Sequence, residues 1–158
     1  MKMTLREQIV QEALSWVGTP YCDHAALKGA GCDCAGFPCE VYRTCGFIPK
    51  DFVIPPYSPQ QWLNSRSQTD KLKLKFEDRT FLNVVLKYSH HEVSEAEVQP
   101  GDLMMVLVAA SWTHGGIIVD WPNMILHPVK GFGVIGSNAT EGFWGKRPKR
   151  FFSMLEAT

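Results

Sequence analysis

The sequence has no excess of charge of either sign: 16 lysines and arginines stand against 16 aspartates and glutamates. A balanced chain makes no broad field to draw it onto nucleic acid or an anionic surface, so nucleic acid is not expected as a partner. No apolar run is long enough to span a bilayer, which argues against membrane insertion as a helix. The first eighteen residues, MKMTLREQIVQEALSWVG, are interrupted by Arg6, Glu7 and Glu12 and lack the apolar core of a secretory signal. The chain is therefore expected to be made in the cytoplasm and to need some other route to work elsewhere. Repeats, low-complexity tracts and linker-like stretches are also missing. Residues 1–158 read as one domain, long enough to bury a core without disulfides or metal.

Cysteine is scarce outside one place, all five lying between Cys22 and Cys45. An odd number confined to so short a stretch makes a poor disulfide framework, and metal binding or catalysis is the better expectation. Structural zinc sites pair their thiols two to four residues apart. A site drawn from Cys22, His24, Cys32, Cys34 and Cys39 has its closest pair only one residue apart, so neither a metal nor a cofactor is expected.

Local patterns place the elements. Residues 4–17 read as an amphipathic helix: Thr4 and Glu7 form a capping box, and Leu5, Ile9, Ala13, Trp16 and Val17 recur near helical spacing. Gly18 is its stop. A second helix is expected from Asp33 or Cys34 to about Cys45, with Pro38 near its first turn and Gly46 after it. Phe37, Val41 and Cys45 make its core-facing stripe. Residues 47–70, with Pro49, Pro55, Pro56 and Pro59, read as irregular chain with one short helix at most. Residues 71–90 are ambiguous, KLKLKF alternating like a strand and RTFLNVVLKY fitting either type. After the turn Gln99-Pro100-Gly101-Asp102 come apolar runs at 103–108, 114–119, 124–129 and 133–135, with a last strand at 147–154. Helices first and a meander of strands afterwards predict an α+β domain with helices packed on an antiparallel sheet.

The motif GCDCAGF at 31–37 sets two thiols about one carboxylate. A thiol attacks as its thiolate, which a helix N-terminus favours through its unpaired N–H groups and dipole. Cys34 opens the second helix behind a glycine-containing loop, and its backbone N–H points to where an oxyanion would form during acyl transfer. Cys32 is still in the loop, and Cys39 and Cys45 fall deeper in the helix, where small buried hydrophobes are the plain reading. A thiol nucleophile needs a base, and the base a partner that orients it. His90 and His91 sit in polar sequence and read as solvated, and His24 lies in a loop near the cysteines. His114 and His127 stand within apolar β-type runs. A hairpin loop at 120–123 or 121–122 pairs Val119 with Met124 and sets His127 opposite Gly116, on the face of His114. The two histidines are then diagonal cross-strand neighbours, roughly 7–8 Å apart by backbone. Gly115 and Gly116 leave room there for a helix end, so the pair reads as base and orienter rather than as core histidines.

Together WVGTPY (16–21), GCDCAGF (31–37), QPGDLMMV (99–106), THGGIIVD (113–120) and ILHPVKGFGV (125–134) resemble the NlpC-type cell-wall peptidases, a papain-like cysteine peptidase family. The resemblance runs from the first helix to the last strand and is specific in the order and spacing of its motifs. The chain is most similar to the stand-alone versions in phage and gene-transfer-agent tail clusters. The resemblance implies catalytic Cys34, His114 and His127. It implies that Tyr21 and Asp33 bind substrate, the carboxylate taking a free stem-peptide amine, although Asp33 also reads as an N-cap and Tyr21 as a packing residue. It further implies cleavage of peptidoglycan stem peptides next to D-glutamate, with tail proteins as partners and action at the cell wall. Cys32, Cys39 and Pro38 depart from the family pattern. The alternatives are a tail component without activity and, more distantly, a zinc-binding domain.

Overall fold

The structure, a computed structural model, describes residues 1–57, 80–108 and 111–157. The strand-like alternative for KLKLKF, and the part of the proline-rich segment that holds Pro59 and Trp62, lie outside these residues. Helix α1 spans Leu5–Leu14, with both halves of the Thr4/Glu7 capping box formed. It ends three residues earlier than its apolar spacing predicts. Ile9, Ala13 and Trp16 are buried, whereas Leu5 and Val17 at the two ends of the stripe are exposed. Gly18 and Gly46, the expected helix stops, both adopt the left-handed backbone that closes a helix C-terminus.

A two-residue antiparallel pair, β1 (Ala26–Leu27) and β2 (Gly31–Cys32), leads into α2 (Gly36–Thr44). Helix α3 (Thr80–Tyr88) settles the ambiguity of RTFLNVVLKY in favour of helix. Strand β3 (His91–Val93) follows, then β4 (Leu103–Val108), β5 (Ser111–Asp120), β6 (Met124–Val129), β7 (Gly133–Ser137) and β8 (Lys149–Ser153). These six form one antiparallel sheet in the order β3-β8-β4-β5-β6-β7. The architecture is the expected α+β one. Among the described residues no helix is long and apolar enough to cross a membrane.

Both faces of the sheet are covered, which is why β4 reads as an unbroken apolar run, LMMVLV, instead of alternating. One face packs Leu103, Met105, Ile117, Leu126 and Phe152 against Ile9 and Ala13 of α1, Phe37, Val41 and Tyr42 of α2, and Val85 of α3. The other face buries Met104, Val106, Ile118, Ile125 and Phe151 under Ala139 and Trp144 from the irregular chain between β7 and β8. A wholly buried Asp102 joins α1 to the sheet: Arg6 Nη1 meets its Oδ1 at 2.8 Å, and Gln99 N–H donates to its Oδ2 at 2.9 Å.

Candidate active site

Residues Asp33 to Gly36 form the turn from β2 into α2. The first helical residue is Gly36, two or three later than the sequence suggests, so Cys34 lies in the turn before the helix. The capping is nevertheless done by Asp33. Its carbonyl accepts the Phe37 N–H at 3.0 Å, and its Oδ1 accepts the N–H groups of Ala35 at 3.2 Å and Gly36 at 2.8 Å. Its Oδ2 accepts the His24 N–H at 2.7 Å and the Tyr57 hydroxyl. The carboxylate is fully buried, with two donors on each oxygen. His24 holds a left-handed backbone, φ 59°, which this hydrogen bond helps to maintain.

The Cys34 thiol is buried and donates to the carbonyl of Thr113 at 3.3 Å. Thr113 is a bulge residue: Val106 pairs with His114 and Leu107 with Trp112, so Thr113 is extra in β5. Bulges re-aim groups beside functional sites. Here one directs a strand carbonyl at the thiol, one residue before His114. Gly115 and Gly116 follow His114, and a Cβ on either would crowd a neighbouring strand, standing 2.8 Å from the Met104 carbonyl oxygen at Gly115 and 2.7 Å from that of Leu126 at Gly116. A Cβ on Gly115 would stand 3.6 Å from Phe81 of α3, and one on Gly116 would stand 3.2 Å from the His127 Cβ.

The β5–β6 register is the expected one, Ile117 facing Leu126 and Ile118 facing Ile125. It slips only at the hairpin end, where Asp120 rather than Val119 faces Met124 and the loop holds the three residues Trp121, Pro122 and Asn123. His114 and His127 meet, His114 Nε2 lying 3.1 Å from His127 Nδ1. His127 Nε2 lies 2.7 Å from Ser137 Oγ. Trp144 packs against both rings, with centroids 5.0 Å from His114 and 4.6 Å from His127. The Phe143 ring centroid stands 5.5 Å from that of His114, and the Arg147 guanidinium lies over the Phe143 ring, 4.2 Å from its centroid.

Burial first, and then the Arg147 charge, hold His114 below the ordinary imidazole value of 6.5. Burial and then His114 do the same to His127. Both rings are therefore neutral near pH 7, and His114 is able to accept a proton. The linkage has a definite sign. On acidification below pH 6.5 the unfolded chain takes up protons that the folded pair refuses, so stability falls with pH by up to about 1.4 kcal/mol per pH unit for each histidine. The urea midpoint is expected to drop from pH 6.5 downward, and His127→Asn to flatten that drop. Identical pH slopes in wild type and variant would refute it.

The other predicted residues sit nearby. Tyr21 makes an isolated parallel bridge to Cys32, and its hydroxyl donates to Asp23 Oδ1 at 2.9 Å. Its phenol is pushed up by burial, then by the charges of Cys34, Asp23 and Asp33, so it stays a neutral donor. Tyr57 is pushed up by burial and by its bond to Asp33. Burial and the Asp33 charge push the Cys32 thiol up to about 12, and burial raises Cys39 and Cys45 as well. Among the described residues, no three His, Cys, Asp or Glu side chains gather in a way that could hold a metal ion.

Sequence reasoning missed Thr113, Ser137 and Trp144, and it gave Tyr57 no role. Ser137 had a signal: β7 pairs Ser137 with Ile125, which makes it a diagonal neighbour of His127 on one face. Trp144 had none, because it comes from irregular chain.

The NlpC/P60 family model matches residues 18–152. No curated protein matches the sequence. Among solved structures, the chain is similar to the NlpC/P60 domain of the peptidoglycan hydrolase SagA, at 20% identity and TM-score 0.56, covering 92% of this chain and 96% of that one. It is also similar to an NlpC/P60 family protein from Bacillus cereus, at 16% identity and TM-score 0.61, covering 94% of this chain and 40% of that one. A third is the peptidoglycan hydrolase RipB from Mycobacterium tuberculosis, at 16% identity and TM-score 0.58, covering 97% and 66%. The chain thus spans less than half the length of the Bacillus protein. At these identities the likeness is one of fold.

Proposed function

Because the chain belongs to the NlpC/P60 family, we propose that it is a cysteine peptidase that cleaves amide bonds in peptidoglycan stem peptides, next to D-glutamate. The observation that carries the reading is a buried thiol held on the Thr113 carbonyl, one residue before a histidine whose Nε2 is engaged by a second histidine. In this reading His114 takes the proton of Cys34, and the sulfur attacks the scissile carbonyl. The backbone N–H of Cys34 helps hold the oxyanion. His114 then protonates the leaving amine, and water hydrolyses the thioester. His127 orients His114. Tyr21 and Asp33 bind substrate, and Asp33 reaches a substrate amine only in place of the Tyr57 hydroxyl, since its four acceptor positions are filled.

The setting we propose is that of the stand-alone members in phage and gene-transfer-agent tails, made in the cytoplasm, neighboured by tail proteins and acting on the wall. Incubating the reduced protein with muropeptides is expected to release stem-peptide fragments visible by mass spectrometry. Prior treatment with iodoacetamide is expected to stop the release, with Cys34 labelled before Cys32 or Cys22. Intact muropeptides after incubation with the reduced protein would leave a structural tail component as the better reading. Undiminished release by the alkylated protein would exclude a thiol nucleophile.

A further inference from the structure

His114 has two ring nitrogens, and Nε2 is engaged by His127, so Nδ1 is the one left to take a proton from Cys34. Nδ1 can do so only if the neutral ring carries its hydrogen on Nε2. That hydrogen then points at His127 Nδ1, which must be bare, and His127 must carry its own hydrogen on Nε2, facing Ser137 Oγ at 2.7 Å. The two contacts from His114 through His127 to Ser137 therefore have two settings. If the Ser137 oxygen accepts from His127 Nε2–H, His114 presents a lone pair at Nδ1. If the Ser137 hydroxyl donates to His127 Nε2, every hydrogen in the chain reverses, and His114 carries its hydrogen on Nδ1, where it can accept nothing.

Surroundings favour the first setting. His127 is only 4% exposed, so burial leaves little room to solvate a misplaced hydrogen, whereas half-buried Ser137 can turn its own hydroxyl hydrogen toward water. The first setting also survives the reaction. When the Cys34 proton arrives on Nδ1, His114 keeps its Nε2–H, which still donates to a bare His127 Nδ1. In the reversed setting, protonated His114 would oppose N–H to N–H across 3.1 Å.

We propose that Ser137 is a positioning residue that accepts from His127 Nε2–H and thereby holds His114 in the tautomer able to take the Cys34 proton. This rests on the reading of Cys34 and His114 as nucleophile and base. The ring tautomers can be read without any substrate, so the two ideas fail separately. In ¹⁵N-labelled wild type near neutral pH, long-range ¹H–¹⁵N spectra are expected to show His127 protonated on Nε2 and bare on Nδ1. Ser137→Ala is expected to mix the tautomers and to lower kcat with little change in KM, by roughly ten- to a hundredfold, by analogy with the loss of outer-shell partners of metal-bound histidines. Ser137→Thr keeps the hydroxyl and is expected to restore both readouts. Ser137→Asp supplies a group that only accepts and is expected to hold the Nε2–H tautomer and to exceed Ser137→Ala in activity. A purely structural role predicts the opposite order, because a carboxylate fits that strand position less well than a methyl group. A wild-type His127 protonated on Nδ1, or Ser137→Asp falling below Ser137→Ala, would overturn the proposal. Failure of wild type to cleave muropeptides, with the expected tautomers present, would count against the peptidase reading instead.

Discussion

Cys34→Ala is expected to lose at least about 10⁴-fold in kcat/KM on muropeptides while remaining folded. The size follows from the chemistry proposed for the thiol. Without the sulfur no thioester forms, and what remains is the stabilisation that binding and the oxyanion donors give to direct attack by water. The structural consequence is small by comparison. The substitution removes one buried sulfur and its 3.3 Å contact with the Thr113 carbonyl, worth on the order of 1 kcal/mol. The test is therefore a pair of measurements, cleavage rate by chromatography of stem-peptide products and urea midpoint by circular dichroism. Activity within about tenfold of wild type would remove Cys34 from the nucleophile's role. His114→Ala is expected to act on the same step, so the double variant should lose little more than Cys34→Ala alone. Losses that multiply would mean that the two side chains act separately.

The second large effect is on stability. Asp33→Ala is expected to destabilise the fold by roughly 3 kcal/mol, a substantial share of the stability of a domain this size. The carboxylate has no exposure, and its removal strands the N–H groups of Ala35 and Gly36 at the start of α2 together with the Tyr57 hydroxyl and the His24 N–H. Loss of a helix cap alone is worth about 1 kcal/mol. The left-handed backbone of His24 also loses a restraint. Asp33→Asn keeps the shape but turns an amide NH₂ toward at least one existing donor, so it is expected to recover only part of the loss. Urea denaturation of the three proteins measures this directly. A drop below about 0.5 kcal/mol for Asp33→Ala would mean that water replaces the carboxylate and that it does not hold the turn together.

How much of this was legible beforehand depended on how local the cause is. The capping box of α1 is four residues long, and it stands as read. The β5–β6 register follows from a short loop and a period of two, so the meeting of His114 with His127 is written in the chain itself. The end of α1 and the start of α2 were misjudged by two or three residues. There a side-chain cap and tertiary burial, not apolar spacing, choose the boundary. Residues 80–88 were ambiguous because a short apolar segment satisfies both periods. Packing of Val85 beneath the sheet decides for helix.

By itself, the sequence determined the α+β class, the first two helices and the later run of strands, the strand face that brings two histidines together, and the one cysteine placed at the entry to a helix. Each of these is written in periodicity, turn residues or caps, and those act within a few residues. Only the tertiary structure decided that a bulge at Thr113 turns a carbonyl to the Cys34 thiol, that Tyr57 closes on Asp33, and that Trp144 seals the histidine pair which ends on Ser137. These contacts join groups far apart in the chain or arise from irregular backbone. Their geometry is set by the packing of the whole sheet between its two covering layers, which no local pattern encodes.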